Sequence, residues 1–389
     1  MSMVVQHNIT AMNSNRMLGV TSGMQAKSTE KLSSGYKINR AADDAAGLAI
    51  SEKMRKQIKG LTQASDNAQD GISAVQTAEG ALGEVHDMLQ RMNQLAVKSA
   101  NGTNSSSDRA AIQAEVDQLV TEIDRVATTT KFNETYLLKG DPNGLEKTIT
   151  LKPHDAGLKG SMVYTEGEAT ATFTVPELVE SQSIMIGGKQ YTIKETGANP
   201  ELNEISSTDA YTEMAKELKI ANEIGASDPD AVTIDGTGPE FTINLGTQRV
   251  AKELSFNLHV GADADMTNKI GVNIDTMNSA FLGIKDLDVV GTDGIGTQAT
   301  YAIDAIADAI QKVSDQRSAL GAVQNRLEHT VKNLDNVVEN TTAAESQIRD
   351  TDMAETMVQY TKNNILAQAG QSMLAQANQS TQGVLSLLG

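Results

Sequence analysis

Cysteine and tryptophan are missing from this sequence of 389 residues, and all aromatic residues together make up only 3% of it. Without cysteine the chain can form neither disulfides nor thiolate metal sites. A large compact core usually contains more aromatic side chains than this. Helices packed through Ala, Leu, Ile, Val and Met need fewer of them, so the composition favours helical packing.

Proline is missing from both ends of the chain. All six prolines lie between Pro142 and Pro239. Proline removes a backbone donor and interrupts helix interiors. The two ends are therefore free to form long helices, whereas the middle is not.

Long apolar runs are also missing. No run approaches the roughly 20 residues that span a bilayer, and residues 1–25 lack the apolar central region of a signal peptide. We therefore expect no membrane span and, if the protein leaves the cell, another export route.

The net charge is −18 and the pI is near 4.7. We expect no nucleic acid as a main partner, because phosphate binding needs a clustered basic surface.

Apolar residues near both ends recur in steps of three and four residues, or in sums of these steps. Such spacing places the side chains on one stripe of a helix. A sustained spacing of about 3.5 residues is typical of a coiled coil. Because the two stripes lie about 200 residues apart, the middle of the chain must be an excursion between them. The stripes are Leu61, Ala68, Ile72, Val75, Leu82, Val85, Leu89, Met92 and Ala96, and Ile303, Ile306, Ile310, Val313, Leu320, Leu327, Val331, Leu334 and Val338.

The sequence of the amino-terminal part of the chain predicts a mobile segment followed by two long helices. Residues 1–30 are polar, and we expect them to be disordered in the monomer and to order on association. Asp43 and Asp44 suit the start of a helix that runs to about Ala100. After a turn at 101–107, Ser107 or Asp108 is the candidate cap of the next helix. The short loop predicts an antiparallel pair, to which the carboxy-terminal rod adds a third helix.

The middle of the chain predicts short strands and one helix. Gly187-Gly188 between two apolar runs indicates a hairpin over 183–193. Further predicted strands are 148–151, 162–164, 170–175, 232–234, 241–245, 254–260 and 270–274, with a helix at 211–220. The fold class predicted is thus mainly α, with long antiparallel coiled-coil-like helical rods from both termini and a central α+β variable domain.

No catalytic constellation is visible. The five histidines are scattered along the sequence, and no GxGxxG or GxxxxGK[ST] loop occurs. The methionines near the carboxyl end suit packing, and a metal role is the less favoured alternative. We therefore predict neither an enzyme nor a cofactor.

Several motifs resemble bacterial flagellin. They are Gln6-His7-Asn8, the stretches at 32–39 and 40–48, residues 90–100, Ala343–Ala354 and the ending at 382–388. The resemblance covers about 1–140 and 255–389, and leaves out the middle. It implies a structural filament subunit for motility, exported unfolded and added at the tip of an extracellular flagellum. Its partners would be other copies of itself and the flagellar export chaperone and cap proteins.

The resemblance also implies a division of the chain. The predicted parts are a filament-core segment at 1–44, rod helices at 45–141 and a central variable domain at 142–250. A β-hairpin and the carboxy-terminal rod helix follow at 251–345, and a second filament-core helix at 346–389. The implied polymerisation residues are Val5, Ile9, Leu18, Ile365, Met373, Val384, Leu385 and Leu388.

One segment resembles the part of flagellins that engages the innate receptor Toll-like receptor 5. The implied contacts are Gln90, Arg91, Gln94, Leu95, Lys98 and Glu115. Met92 and Ala96 belong to the core stripe, and packing alone would account for them. Arg91, Gln94, Leu95 and Lys98 fall off the stripe, so we expect them to face a partner.

Two other classes of protein compete with the filament subunit. A hook–filament junction protein shares the terminal helices without building a long polymer, and seeded polymerisation would separate the two. A protease in the central domain would need a His-Glu-x-x-His motif, which does not occur.

Overall fold

The computed structural model describes residues 8–165, 167–196, 198–236, 238–291 and 296–388. It includes the side chains of these residues except at 200 and 380–388. The chain divides into two units. We call Met1–Asp66, Val260–Asn268 and Val331–Gly389 the terminal unit, and Asn67–His259 and Lys269–Thr330 the central unit.

Five α-helices of the described residues have 24 residues or more, which confirms the predicted mainly α class with a strand-rich middle. None of the helices in the described part of the chain has the length and apolarity needed to cross a membrane. The helices are α1 (Ile9–Ser34), α2 (Ala45–Ser99), α3 (Ser106–Thr129), α4 (Ser207–Glu223), α5 (Ser279–Leu282), α6 (Thr297–Arg349) and α7 (Met353–Leu388).

The strands lie between α3 and α6. They are β1 (Lys131–Phe132), β2 (Thr135–Tyr136), β3 (Glu146–Thr150), β4 (Ser161–Val163), β5 (Thr170–Thr174), β6 (Ser183–Ile186), β7 (Lys189–Ile193), β8 (Glu204–Ile205), β9 (Thr233–Asp235), β10 (Glu240–Asn244), β11 (Thr247–Ala251), β12 (Leu254–His259) and β13 (Lys269–Ile274).

In the terminal unit, α1 and α7 pack antiparallel. The side-chain amide of Asn8 donates to the carbonyl of Ala377 at 3.1 Å, and that of Asn363 to the Ser28 hydroxyl at 3.5 Å. The expectation that residues 1–30 are disordered in the monomer is therefore wrong for 9–30. A partner helix within the same chain stabilises α1, which Asn8 caps by accepting from the Ala11 amide.

The two chain segments that flank this helix pair form a short antiparallel bridge between Tyr36 and Asp350. Gly35 ends α1 with φ of 76°, a left-handed conformation that favours glycine. The Arg349 guanidinium lies over the Tyr36 ring at 4.7 Å and contacts Glu52 on α2 at 2.8 Å. Arg349, the last residue of α6, thus links the segment around Tyr36 to the start of α2.

Asp44 caps α2, because its carboxylate accepts from the Gly47 amide at 2.9 Å. Asp43 instead accepts from the amides of Asn39 and Arg40. The hydrogen bond from the Arg40 amide lowers the pKa of Asp43 from its usual value, and Lys27 makes a smaller contribution in the same direction. The predicted helix start after this acidic pair is confirmed, with Asp44 as the residue that caps it.

In the central unit, α2, α3 and α6 enclose one apolar core, as the two stripes predict. The antiparallel packing of α2 and α6 is marked by an ion pair between Glu79 and Arg317 at 2.9 Å. The helical part of this core includes Val75, Leu82, Val85, Leu89, Met92, Leu95, Ile112, Val116, Ile123, Ala302, Ile306, Val313 and Leu320.

The turn from α2 to α3 is stabilised by a buried arginine and a cap. Arg109 donates from Nε to the carbonyl of Ser99 at 2.9 Å, at the end of α2. Ser105 caps α3 by accepting from the Asp108 amide, and the Asp108 carboxylate accepts from the Ser105 amide. The predicted cap at Ser107 or Asp108 is therefore wrong, because the helix begins two to three residues earlier and Asp108 completes the box from the third position.

Most of the strands predicted in the middle of the chain are present within a residue or two of the predicted ends. β6 and β7 form the hairpin at Gly187-Gly188, and β12 pairs with β13. A four-stranded sheet has the order β4-β5-β10-β9. β11 was not predicted; it pairs antiparallel with β3 across about 100 residues of chain. A second apolar core lies between α4 and the four-stranded sheet, around Phe173, Leu218 and Phe241.

Candidate interaction surfaces

Exposed apolar side chains are concentrated in the terminal unit. On α1, the side chain of Ile9 is 70% exposed, and on α7 those of Ile365 and Met373 are 61% and 57% exposed. An exposed apolar surface of this extent usually marks an association site. The exposed apolar residues of α1 and α7, which we call the outer faces, are Ile9, Met12, Met17, Val20, Met24, Met353, Met357, Val358, Ile365, Leu366 and Met373.

The seam between α1 and α7 has the opposite character. The less exposed positions recur every three or four residues on both helices, and most of them are small or polar. They are Asn8, Ala11, Ser14, Leu18, Thr21, Gln25 and Ser28 on α1, and Thr356, Tyr360, Asn363, Ala367, Gly370, Leu374 and Ala377 on α7. A helix normally turns its apolar face inward. Here the apolar side chains lie outside, so this pair has apolar surface left for further partners.

The predicted polymerisation residues fall into three groups. Ile9, Ile365 and Met373 lie on the outer faces. Leu18 lies in the seam, where a Cβ at Gly370 would be 3.4 Å from its Cδ1. Val5 lies outside the described residues, and so do the side chains of Val384, Leu385 and Leu388.

Charge is divided unequally between the two units. The terminal unit has 12 Lys and Arg against 13 Asp and Glu, whereas the central unit has 20 against 37. Nearly all of the net charge of −18 therefore belongs to the central unit. A nearly neutral unit has little electrostatic repulsion to overcome when copies of it associate.

Four of the six predicted receptor contacts form one exposed group on α2. They are Gln90, Arg91, Gln94 and Lys98. Leu95 is only 2% exposed, so the expectation that it faces outward is wrong. Because both α3 and α6 cover α2, its buried surface is wider than one stripe and includes this position.

Glu115 on α3 lies beside this exposed group. Its Oε1 accepts from Nε and Nη2 of Arg91 at 2.9 and 2.7 Å. The pair combines two predicted contacts from different helices into a single feature. We call Gln90, Arg91, Gln94, Lys98 and Glu115 the α2–α3 patch.

A partly buried histidine, His154, has a shifted pKa. Burial lowers the pKa of His154, and the nearby carboxylates of Asp308, Asp304 and Asp155 oppose that shift without reversing it. Burial raises the pKa of Asp304. Within the described residues, no group of three or more His, Asp and Glu side chains is arranged to hold a metal ion. His154 and the carboxylates of Asp155, Asp304 and Asp308 line an open cavity of about 350 Å³.

Comparison with known proteins points to one family. The profile of the bacterial flagellin N-terminal helical region matches residues 5–142, and that of the C-terminal helical region matches residues 303–388. The chain is 44% identical to a flagellin of Clostridium tyrobutyricum over 98% of this chain and all of that protein. It is 40% identical to the flagellar filament 31.3 kDa core protein of Treponema maltophilum, over 99% of this chain and all of that protein.

A solved structure, the crystal structure of Bacillus cereus flagellin, is also similar. It is 19% identical and aligns with 69% of this chain and 88% of that chain, with a TM-score of 0.34. The family assignment does not depend on this likeness.

Proposed function

Because this chain belongs to the bacterial flagellin family, we propose that it is the repeating subunit of an extracellular flagellar filament that serves motility. Relatives that match its whole length include a core protein of a flagellar filament. The outer faces of α1 and α7 are the observation that carries the proposal. Their apolar side chains are exposed to water, and other copies of the chain could cover them.

The division of charge supports the same proposal. Many copies packed closely must bring their contacting surfaces together without strong repulsion. The terminal unit is close to neutral, whereas the central unit has the acid excess. We therefore propose that the filament-core segments at 1–44 and 346–389 form the contacts between copies. An asymmetric contact repeated without closure would then give a helical filament.

Seeded polymerisation tests this proposal. Short filament seeds are mixed with purified chain, and filament length is measured by electron microscopy. We expect long filaments from the unmodified chain. A chain that adds to seeds only once, or not at all, would favour the hook–filament junction protein instead.

Matched substitutions locate the contacts. Val358 on α7 is 69% exposed, and Val179, in a loop of the central unit, is 64% exposed. Because neither side chain is buried in the monomer, Asp at either position should leave the fold intact. We expect V358D, which would bury a carboxylate at the contact, to slow elongation about tenfold or more. V179D should elongate normally, and equal elongation by both variants would contradict the assignment.

Export and assembly partners form part of the proposal. We propose that the chain leaves the cell through the flagellar export apparatus, with an export chaperone and a cap protein as partners. The family membership supports this route. Its test is the amount of protein in the culture medium of cells that lack the export apparatus, where we expect a loss of the external protein with retention inside.

We further propose that the α2–α3 patch binds Toll-like receptor 5. The patch presents an arginine, a lysine, two glutamines and a glutamate in adjacent exposed positions of two packed helices. Leu95 lies beneath this surface and supports it from the core. Polar and charged side chains of this kind give specificity and orientation at an interface.

Titration of the receptor ectodomain with R91A tests the patch. The matched control is R125A on α3, since Arg125 also forms an exposed ion pair, with Glu122. We expect R91A to weaken binding while the helical content measured by circular dichroism stays unchanged. Equal affinity of R91A and R125A would reject the patch.

A further inference from the structure

Most exposed methionines of the described residues lie in one place. Eight described methionines are exposed, and six of these belong to the outer faces of α1 and α7. The other two are Met185 and Met266. The six, which we call the outer methionines, are Met12, Met17, Met24, Met353, Met357 and Met373.

Methionine is the sulfur-containing side chain that an oxidant meets in this protein, because the sequence contains no cysteine. A peroxide oxidises the thioether to a sulfoxide. The sulfur lone pair attacks one peroxide oxygen, the O–O bond breaks and an S–O bond forms. The displaced hydroxide takes up the proton left on the transferred oxygen, so the sulfur is oxidised by two electrons and hydrogen peroxide is reduced to water.

Oxidation to the sulfoxide makes the outer faces less apolar, and their apolar character is what favours contacts between copies. A sulfoxide is polar and chiral, whereas the thioether is flexible and apolar. The other exposed apolar side chains of these faces, such as Ile9, Val20 and Val358, are aliphatic and have no donor for a sulfoxide oxygen. Covering that oxygen with such aliphatic side chains in a contact between copies would leave it without a hydrogen bond, which costs free energy.

We propose that the outer methionines are a peroxide-modification site through which oxidation of the free subunit blocks its addition to a filament. This inference depends on the filament function proposed above. Oxidation would act on the subunit before assembly, when the six thioethers are exposed. In the filament the same contacts would shield them, so assembled copies would resist the reagent.

The reaction is reversible by chemistry of a known class. Methionine sulfoxide reductases convert each sulfoxide epimer back to the thioether at the expense of a thiol reductant. A blocked subunit would therefore regain its ability to assemble. This reversibility distinguishes a modification site from irreversible damage to the fold.

The first experiment compares treated and untreated protein. Purified subunit is exposed to hydrogen peroxide, sulfoxides are located by peptide mass spectrometry, and elongation on untreated seeds is timed. We expect sulfoxide at the outer methionines, unchanged circular dichroism and elongation slowed about tenfold or more. Treatment with both classes of reductase should restore the rate.

Substitution with leucine identifies the responsible residues. Leucine has a similar volume and no sulfur, so a sixfold variant, with each outer methionine replaced by Leu, should elongate both before and after peroxide. The control is M185L, in the central unit, whose side chain is 66% exposed in the native chain. M185L should remain as sensitive as the unmodified protein.

Protection in the filament provides a second test that needs no variant. The peroxide reaction of the outer methionines should be slower in filaments than in free subunits, whereas that of Met185 should be similar in both.

The outcomes separate this inference from the proposed function. Untreated protein that forms no filaments would overturn the filament proposal. Treated protein that carries all six sulfoxides and elongates at the untreated rate would overturn only the modification site. So would a sixfold variant that stays fully sensitive, or equal reactivity of the outer methionines in both states.

Discussion

Arg91 on α2 and Glu115 on α3 are joined by two hydrogen bonds to a single carboxylate oxygen, at 2.9 Å from Nε and 2.7 Å from Nη2. Both side chains remain about half exposed. The geometry fixes the guanidinium against α3 instead of leaving it free in solvent. A partner that approaches Arg91 in this conformation would meet it together with Glu115.

Removing this ion pair should change stability only slightly. Exposed pairs contribute less than about 1 kcal/mol, because solvent screens them and both side chains lose freedom. We expect R91A, E115Q and the double variant to lower the free energy of unfolding in urea by amounts in that range. A double-mutant cycle measures the coupling between the two residues. A coupling of several kcal/mol would show that the pair stabilises the packing of α2 on α3, and any loss of receptor binding in R91A would then need another explanation.

Two glycines of α2 should respond oppositely to alanine. A Cβ at Gly83 would meet nothing within 4 Å, whereas a Cβ at Gly71 would overlap Cδ1 of Leu258 on β12. Alanine in a helix interior is more favourable than glycine by up to about 1 kcal/mol. Overpacking typically costs about 1–3 kcal/mol. We therefore expect G83A to raise and G71A to lower the urea midpoint, and a rise for both would mean that Leu258 moves aside without cost.

The cap of α3 can be removed without touching the core. Ser105 accepts from the Asp108 amide through its hydroxyl, and its own amide donates to the Asp108 carboxylate. Replacing a Ser cap with Ala typically costs about 1 kcal/mol. We expect S105A to lower the free energy of unfolding by about that amount, and S106A, at the exposed position next to the cap, to leave it nearly unchanged. An equal effect of the two substitutions would contradict the assignment of the cap.

Asp108 makes the same cap sensitive to acid. Its hydrogen bonds with the Ser105 hydroxyl and amide lower the pKa of this carboxyl from its ordinary value. The folded chain therefore binds its proton less readily than the unfolded chain does. The stabilisation is complete above the ordinary pKa of about 4 and is lost as the pH falls through the lowered value. In S105A we expect a smaller loss of stability over that interval.

The helices of the core were predictable because their burial follows one period. Leu82, Leu89 and Val313 each lie on a stripe that repeats every three or four residues, and each is fully buried. Leu95 does not follow the stripe of α2, because two neighbouring helices widen the buried surface. A single stripe describes a helix with one partner, and it fails where α3 and α6 both pack against α2.

The α1–α7 pair was hidden by the chemistry of its seam. Ser28 and Asn363 are buried there, and polar residues at regular spacing do not indicate burial on their own. The pairing of β11 with β3 was missed for another reason. It joins Thr247–Ala251 to Glu146–Thr150, and no local turn connects them. Local pattern predicts hairpins such as β6–β7, whereas distant pairing depends on the whole sheet.

His154 lies in a position where its protonation should oppose folding. Its amide donates to the Asn222 side chain at 2.9 Å, and the Asn222 amide donates back to the His154 carbonyl at 2.9 Å. These bonds fix the residue beside Asp304, Asp308 and Asp155, with Lys312 also nearby. Burial lowers the pKa of His154 despite the three carboxylates.

The direction of the pKa shift of His154 predicts how pH affects the central unit. The unfolded chain binds the proton at a higher pH than the folded chain, so the stability that this residue contributes is complete above the ordinary pKa near 6.5 and is lost as the pH falls below it. Asp304 acts with the opposite sign, because burial raises its pKa. We expect the free energy of unfolding to fall between pH 7.5 and 5.5, and H154Q to reduce that fall. H329Q, at an exposed position of α6, is the control. An identical pH profile for H154Q and the unmodified chain would show that His154 binds its proton as readily in the folded as in the unfolded state.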